Sequence, residues 1–341
     1  MRLLGIPTIE DRVAQMVVRK QFEPVVEPVF YEDSYGYRPN RSAIDAISVT
    51  RKRCWEMPWV IEYDIVGLFD NIDHEKMMKA VKHHTSEKWI ILYIERFLKA
   101  PMILPSGERI ERTAGTPQGG VISPVISNLF LHYALDRWLS MLYPNNPWVR
   151  YADDGIIHCE SEMEAKEILE SLRLRAIECG LEIHPEKSKI VYCRSDVFNK
   201  CYENESFDFL GYTFRRRYVK SKNGNFFNTF SPAVSKSAKQ SLRDRIRECR
   251  RQNKIIGLPQ FAEIINPILR GWMNYFTVFY ANEARREVDY YVNRTLVQCL
   301  VRKYKTVKKS KKRAWQLLGQ LAQLYPNLFY HWEMGLKPTI G

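Results

Sequence analysis

The chain has 341 residues, 45% of them hydrophobic, with 52 Lys and Arg against 39 Asp and Glu. The formal charge is +13 and the pI is near 9.3. That is enough apolar material for two or three domains with real cores, and the basic excess points to polyanionic partners. The seven cysteines are scattered with no C-x-x-C pair, which argues against zinc and against a disulfide scaffold. No apolar run is long enough to cross a bilayer and no signal peptide heads the chain, so a reduced, cytoplasmic, bacterial setting is expected, with no membrane partner.

In chain order, residues 9–30 carry spaced apolar side chains (Ile9, Val13, Met16, Val17), a helical pattern expected to end near Pro24 and Pro28. Ser42 caps a helix over 43–53, a strand follows at 59–65, and Asp73 caps a helix over 74–84. Residues 89–99 read as helix and 102–112 as a hairpin around Pro105-Ser106-Gly107. A Gly-rich loop at 115–120 leads into a long amphipathic helix over about 125–142. Hairpin strands occupy 148–159, a helix covers 162–179 and stops at Gly180, and strands follow near 189–193 and 208–214. Strand, helix, helix, hairpin, helix, strand is a split βαβ plan of ferredoxin type. Beyond residue 232 the pattern turns helical and strongly basic.

The chemistry concentrates in three aspartates. Asp153 and Asp154 fall at the tip of the apolar hairpin, and Asp64 ends the strand Trp59-Val60-Ile61-Glu62-Tyr63-Asp64-Ile65. Adjacent carboxylates are costly to bury unless a cation holds them. Three on neighbouring strand ends can hold two Mg²⁺ ions, with Mn²⁺ as a substitute, the apparatus of in-line nucleotidyl transfer.

Several segments carry a family resemblance. Gly115-Thr116-Pro117-Gln118-Gly119-Gly120-Val121-Ile122-Ser123-Pro124, with Ser127-Asn128, resembles the nucleotide-binding segment of group II intron reverse transcriptases. Residues 64–74 around Asp64 resemble that family's first catalytic segment, and Tyr151-Ala152-Asp153-Asp154 its second. Leu4-Gly5-Ile6-Pro7-Thr8, Ser34-Tyr35-Gly36-Tyr37-Arg38-Pro39, His184-Pro185-Glu186-Lys187-Ser188-Lys189 and Phe209-Leu210-Gly211-Tyr212 resemble further segments, in the family's order. Residues 268–276, Ile-Leu-Arg-Gly-Trp-Met-Asn-Tyr-Phe, resemble the maturase signature. The family usually has an N-terminal finger segment before Leu4, and the expectation is a form lacking it.

The resemblance implies an α+β right-hand polymerase. Partial fingers would occupy 1–58, and a palm with a ferredoxin-like sheet 59–231, with a finger insertion near 86–115. A helical thumb or maturase domain would occupy 232–341. It implies that Asp64, Asp153 and Asp154 are catalytic metal ligands, joined by the Ile65 carbonyl. Phe69 would be the gate that rejects a ribose 2′-OH. Gln118 and Gly119 would contact the incoming nucleotide, and Arg2 its triphosphate, with Arg12 a further candidate for that contact or for the template backbone. Lys187 would protonate departing pyrophosphate, and Phe209, Leu210 and Gly211 would grip the primer.

Basic residues cluster at Arg215, Arg216 and Arg217, along 236–254 (Arg243, Arg247 and Arg250 among them) with only Asp244 and Glu248 opposing, and at 302–313. The last run includes Lys308, Lys309, Lys311 and Lys312 and no acid. Runs of this kind track phosphates, which makes RNA binding their expected role. The partners expected are an RNA template, a DNA or RNA primer, dNTPs and structured intron RNA. Oligomeric state stays open. Two other readings stand beside the polymerase: a maturase-type RNA-binding splicing factor with little polymerase activity, and a domesticated reverse transcriptase in repair or defence. No nuclease-like module follows residue 276, so no endonuclease of its own is expected.

Overall fold

The structure, a computed structural model, describes residues 5–338 except 105, 194–201, 221–222, 254–255, 305–306 and 308–309. Helix α1 (Ile9–Val26) is capped by Thr8 and followed by a 3₁₀ turn at Glu27–Val29. Its buried face is Gln15, Val18, Phe22 and Val26, whereas Ile9, Val13, Met16 and Val17 are exposed. The helix ends at Val26, between Pro24 and Pro28 as expected, with Pro24 inside its last turn. Helix α2 (Ala43–Glu56) begins with a Ser42–Asp45 capping box.

Strand β1 (Trp59–Asp64) is followed by α3 (Leu68–Asn71), α4 (His74–His84), capped by Asp73, and α5 (Lys88–Lys99). Short strands β2 (Met102–Ile103) and β3 (Arg109–Ile110) pair with each other. The long helix expected next is three segments: α6 (Ser123–Leu131), a π segment (His132–Asp136) and α7 (Arg137–Leu142). It is not amphipathic at its start, because nearly all of α6 is buried. Strands β4 (Trp148–Tyr151) and β5 (Asp154–Cys159) form a hairpin, then α8 (Glu162–Glu178) leads to β6 (Lys189–Tyr192).

These four strands form one antiparallel sheet in the order β4-β5-β1-β6, the ferredoxin-type arrangement. The core beneath it combines Ile61, Tyr63 and Ile157 with side chains from α1, α4, α6 and α8. The strand expected near 208–214 is broken at Leu210–Gly211 by a turn between β7 (Ser206–Phe209) and β8 (Tyr212–Lys220). With β9 (Phe226–Val234) they form a sheet ordered β7-β8-β9.

The chain divides into two compact units, Met1–Phe207 with Tyr218–Phe230, and Asp208–Arg217 with Ser231–Gly341. The second is mainly helical: α9 (Lys236–Gln252), α10 (Leu258–Phe276), α11 (Ala281–Lys303), α12 (Lys311–Leu324) and α13 (Tyr330–Glu333). Its core includes Ile246, Leu269, Val292, Leu318 and Trp332. The buried Asn293 Oδ1 accepts from the Trp332 indole N–H at 2.9 Å and lies 3.0 Å from His331 Nε2. No helix among the described residues is long and apolar enough to cross a membrane.

Candidate active site

The register of the first sheet places Asp64 directly opposite Asp154, so two carboxylates meet at the ends of β1 and β5. Asp153 lies in the turn just before, and its carbonyl accepts the Ile65 N–H at 3.2 Å. Beyond Asp64 the chain is held by the 182–188 segment. Val66 N–H donates to Glu182 O, His184 N–H to Asp64 O, and Asp64 N–H to Ser188 Oγ at 3.2 Å. That segment also delivers Lys187, whose Nζ lies 2.6 Å from Asp64 Oδ2. Asp64, Ile65, Asp153, Asp154 and Lys187, distant in sequence, thus gather where the two central strands end.

The electrostatics record the crowding. Burial, then the charges of Asp153 and Asp64, push the Asp154 carboxyl up to about 7, against an opposing pull from Lys187. The donors are anionic oxygens, the type a hard divalent cation takes, and among the described residues no three of them stand close enough together to enclose one.

The Gly-rich loop is fastened to α3. Gly115 N–H donates to Ile72 O at 2.8 Å and Thr116 N–H to Phe69 O at 2.6 Å. Gly115 has φ +80, and a Cβ there would overlap the Phe69 and Asp70 carbonyls. Gln15 Oε1 accepts the Val121 N–H at 2.6 Å, which explains why a glutamine faces inward on α1. Phe69 is half-buried on α3, and Gln118 Nε2 donates to Asp70 Oδ2 at 3.0 Å. Gly119 sits at φ +113. Arg12 is exposed on α1, and Arg2 lies outside the described residues.

In the second unit, Leu210 and Gly211 both adopt left-handed backbone, at φ +49 and +80, which turns β7 into β8. The Tyr275 hydroxyl donates to Leu210 O, and the Phe276 ring packs against Gly211. Phe209 is buried, so its ring has a core role.

The basic runs separate into committed and exposed charges. Arg217 is buried, donating to Glu283, Ser231 O and Thr213 O, with Tyr280 against its guanidinium. Its expected RNA contact is corrected on that ground. Arg243 forms a two-pronged pair with Glu287, Arg247 pairs with Asp244, and Arg250 donates to Gln298. Acids on α11, beyond the two within α9, therefore oppose this run. Arg215 is exposed and Arg216 half-buried, and Lys311 and Lys312 are exposed in the first turn of α12. Lys308 and Lys309 lie outside the described residues.

Reading the sequence missed what stands behind the aspartate turn. Arg150 is fully buried and forms a salt bridge with the equally buried Asp136 at 2.6 Å. A lone arginine inside the apolar strand Trp148-Val149-Arg150-Tyr151 was the available signal.

Comparison with known proteins decides the family. Residues 1–214 match the reverse transcriptase (RNA-dependent DNA polymerase) family. The chain belongs to the reverse transcriptases. Residues 239–318 match the group II intron, maturase-specific domain, which lies within the helical second unit. The group II intron-encoded protein LtrA of Lactococcus lactis subsp. cremoris is 38% identical over 142 residues, covering 42% of this chain and 23% of LtrA. Protein YkfC of Escherichia coli is 36% identical over 157 residues, covering 43% of this chain and 41% of YkfC. An uncharacterised protein in the cob intron of Schizosaccharomyces pombe is 26% identical over 366 residues, covering 88% and 44%. The chain spans less than half the length of these curated relatives. A solved telomerase of Candida tropicalis aligns with TM-score 0.48 at 11% identity, over 96% of this chain and 56% of that one.

Proposed function

We propose that this reverse transcriptase adds dNTPs to a primer 3′-OH on an RNA template, with Asp64, Asp153 and Asp154 as the ligands of two Mg²⁺ ions. The observation that carries the reading is the cross-strand pairing of Asp64 with Asp154, beside Asp153, where burial and then the two neighbouring carboxylates push Asp154 up to about 7. Bound there, divalent cations would supply the positive charge that lowers the pKa of the attacking hydroxyl and offsets charge on the leaving oxygen. The chain's own groups do the rest. The β1–β5 ladder fixes the spacing of the carboxylates, and Lys187 stands at Asp64 as a proton donor for pyrophosphate. The loop 115–120, fastened to α3, presents Gln118 and close-approaching backbone to the nucleotide, with Phe69 beneath the sugar as the 2′-OH gate. Leu210 and Gly211 shape the primer-side turn.

The maturase-specific match supports a second activity of the same chain, binding of structured intron RNA for splicing and mobility. Lys311 and Lys312 favour it physically. Cations in the first turn of a helix oppose its dipole, a cost that phosphate neighbours remove.

The test is primer extension on an RNA template with Mg²⁺ and dNTPs, comparing wild type with Asp153→Ala/Asp154→Ala. Extension by wild type alone, with RNA binding equal in both, is expected. No extension by either, with tight RNA binding retained, would replace this reading with that of an RNA-binding maturase.

A further inference from the structure

Arg150 reaches more than its salt-bridge partner. A guanidinium has five N–H donors, and here each has an acceptor. Nε donates to Asp136 Oδ1 at 2.7 Å, and Nη2 to Asp136 Oδ2 at 2.6 Å and Ser34 Oγ at 2.9 Å. Nη1 donates to Asn128 Oδ1 and to Ala152 O, both at 3.1 Å. The last bond matters most, because the Ala152 carbonyl belongs to the peptide that joins Ala152 to Asp153. Ala152 is held at φ +55, a left-handed backbone that a non-glycine residue adopts only when its surroundings enforce it.

The surroundings do so from a second side. Asn128 Nδ2 donates to Gly36 O at 2.8 Å, and Gly36 packs so closely on the Ala152 amide that a Cβ would overlap it. Tyr35 N–H donates to Arg150 O, and Arg150 N–H to Asp33 O. The π segment contributes as well. One widened turn rotates every later residue by about 100° around the helix axis. Asn128, before the widened segment, and Asp136, its last residue, therefore converge on one guanidinium.

We propose that Arg150, oriented by Asp136 and Asn128, is a positioning residue that fixes the Ala152–Asp153 peptide and thereby sets the two turn aspartates against Asp64. The proposal rests on the polymerase reading for its catalytic readout only. Lysine cannot replace the arginine, because one ammonium cannot span Asp136, Asn128 and Ala152 at once. A purely structural buried ion pair would stabilise the unit and leave the ligand geometry alone. The continuous chain of bonds from Asp136 to the Asp153 peptide distinguishes this arrangement.

The experiment compares Arg150→Lys and Asn128→Ala with wild type and with Leu139→Ala, a buried α7 truncation that lowers stability without touching the turn. Mn²⁺ binding to the nucleic-acid-free protein is followed by electron paramagnetic resonance, and single-turnover extension gives the rate and the dNTP dependence. Both variants are expected to weaken Mn²⁺ binding about tenfold and to lower kcat by about 10- to 100-fold, the usual effect of disturbing groups that orient ligands. KM for dNTP and template-primer affinity stay near wild type, and Leu139→Ala keeps wild-type kcat per folded molecule. If Arg150→Lys does not fold, Asn128→Ala decides, since it loosens the same anchorage without stranding a charge. Wild-type Mn²⁺ affinity and kcat in the folded variants, or an equal loss in Leu139→Ala, would overturn the proposal. Should wild type itself fail to extend primers, the polymerase reading falls and the Mn²⁺ measurement still decides this one.

Discussion

Lys187 Nζ lies 2.6 Å from Asp64 Oδ2, so a mobile ammonium on an exposed side chain sits at the carboxylate that would also receive a metal ion. The two demands on Asp64 compete. Lys187→Ala is therefore expected to tighten Mn²⁺ binding to the free protein while slowing nucleotide addition by about 10²-fold, the range of a lost proton donor. Melting temperature should move little, because the Lys187 side chain is exposed to solvent, although Asp64 is buried. Mn²⁺ titration together with pre-steady-state extension checks this. Weaker Mn²⁺ binding in the variant would mean that Lys187 supports the site rather than competing at it.

Gly36 tests the same turn by volume. Adding a methyl group there forces it into the Ala152 amide, and packed backbone cannot yield without shifting. Gly36→Ala should lower kcat by about 10²-fold, the penalty for displacing reactive groups by roughly an ångström. Gly180→Ala is the control. Gly180 also has an unusual φ of +80, but nothing lies within 4 Å of its added Cβ. It should cost about 1–2 kcal/mol of stability for left-handed backbone and leave kcat unchanged. Steady-state extension with urea melts separates the two. Equal kcat losses would show that backbone strain, rather than contact with the turn, governs activity.

The aspartates were legible in the sequence because their chemistry violates its surroundings: charge at the end of apolar strands needs a reason. Capping was legible for the same local cause, as Ser42 and Asp73 show. The inward face of α1 was not. Its apolar positions recur on both sides, and Gln15 is buried only because the backbone of Val121, 106 residues away, needs an acceptor. The Arg150–Asp136 pair was hidden similarly. Its partners come from two elements, and the widened helical turn that brings Asp136 round breaks the 3.6-residue period that sequence reading assumes. Arg217 looked like its two arginine neighbours until Glu283, 66 residues on, claimed it.

The division between exposed and committed basic residues can be measured. Lys311→Gln/Lys312→Gln should weaken RNA binding and flatten the dependence of log K on log salt by about 0.7–0.9 for each phosphate no longer neutralised. Arg217→Gln should leave the salt slope unchanged. It should instead destabilise the second unit by about 1–3 kcal/mol, since the buried guanidinium's hydrogen bonds to Ser231 O, Thr213 O and Glu283 are lost while Glu283 keeps Lys239. Filter binding at several salt concentrations, with thermal melts, distinguishes these. A flatter slope for Arg217→Gln would place that side chain on RNA after all.

Stability should also depend on pH through buried histidines in both units, most strongly His158 in the first and His331 in the second. His158 is pushed down to about 3 by burial and then by Arg53, and both its ring nitrogens lack a hydrogen-bond partner among the described residues. His331 is pushed down to about 3 by burial alone. In the unfolded chain both would titrate near about 6.5, so between that value and about 3 the unfolded state binds more protons than the folded one. Stability is therefore complete above the unfolded value and falls as pH drops below it, by about 1.4 kcal/mol per pH unit for each histidine. Urea midpoints should be flat from pH 8 to 7 and decline from about pH 6 to 5. His331→Gln keeps an N–H donor for Asn293 and removes the titration. The decline should then disappear from the transition that reports the second unit and persist in the first. An undiminished decline there would mean that His331 is not the group taking up the proton on unfolding.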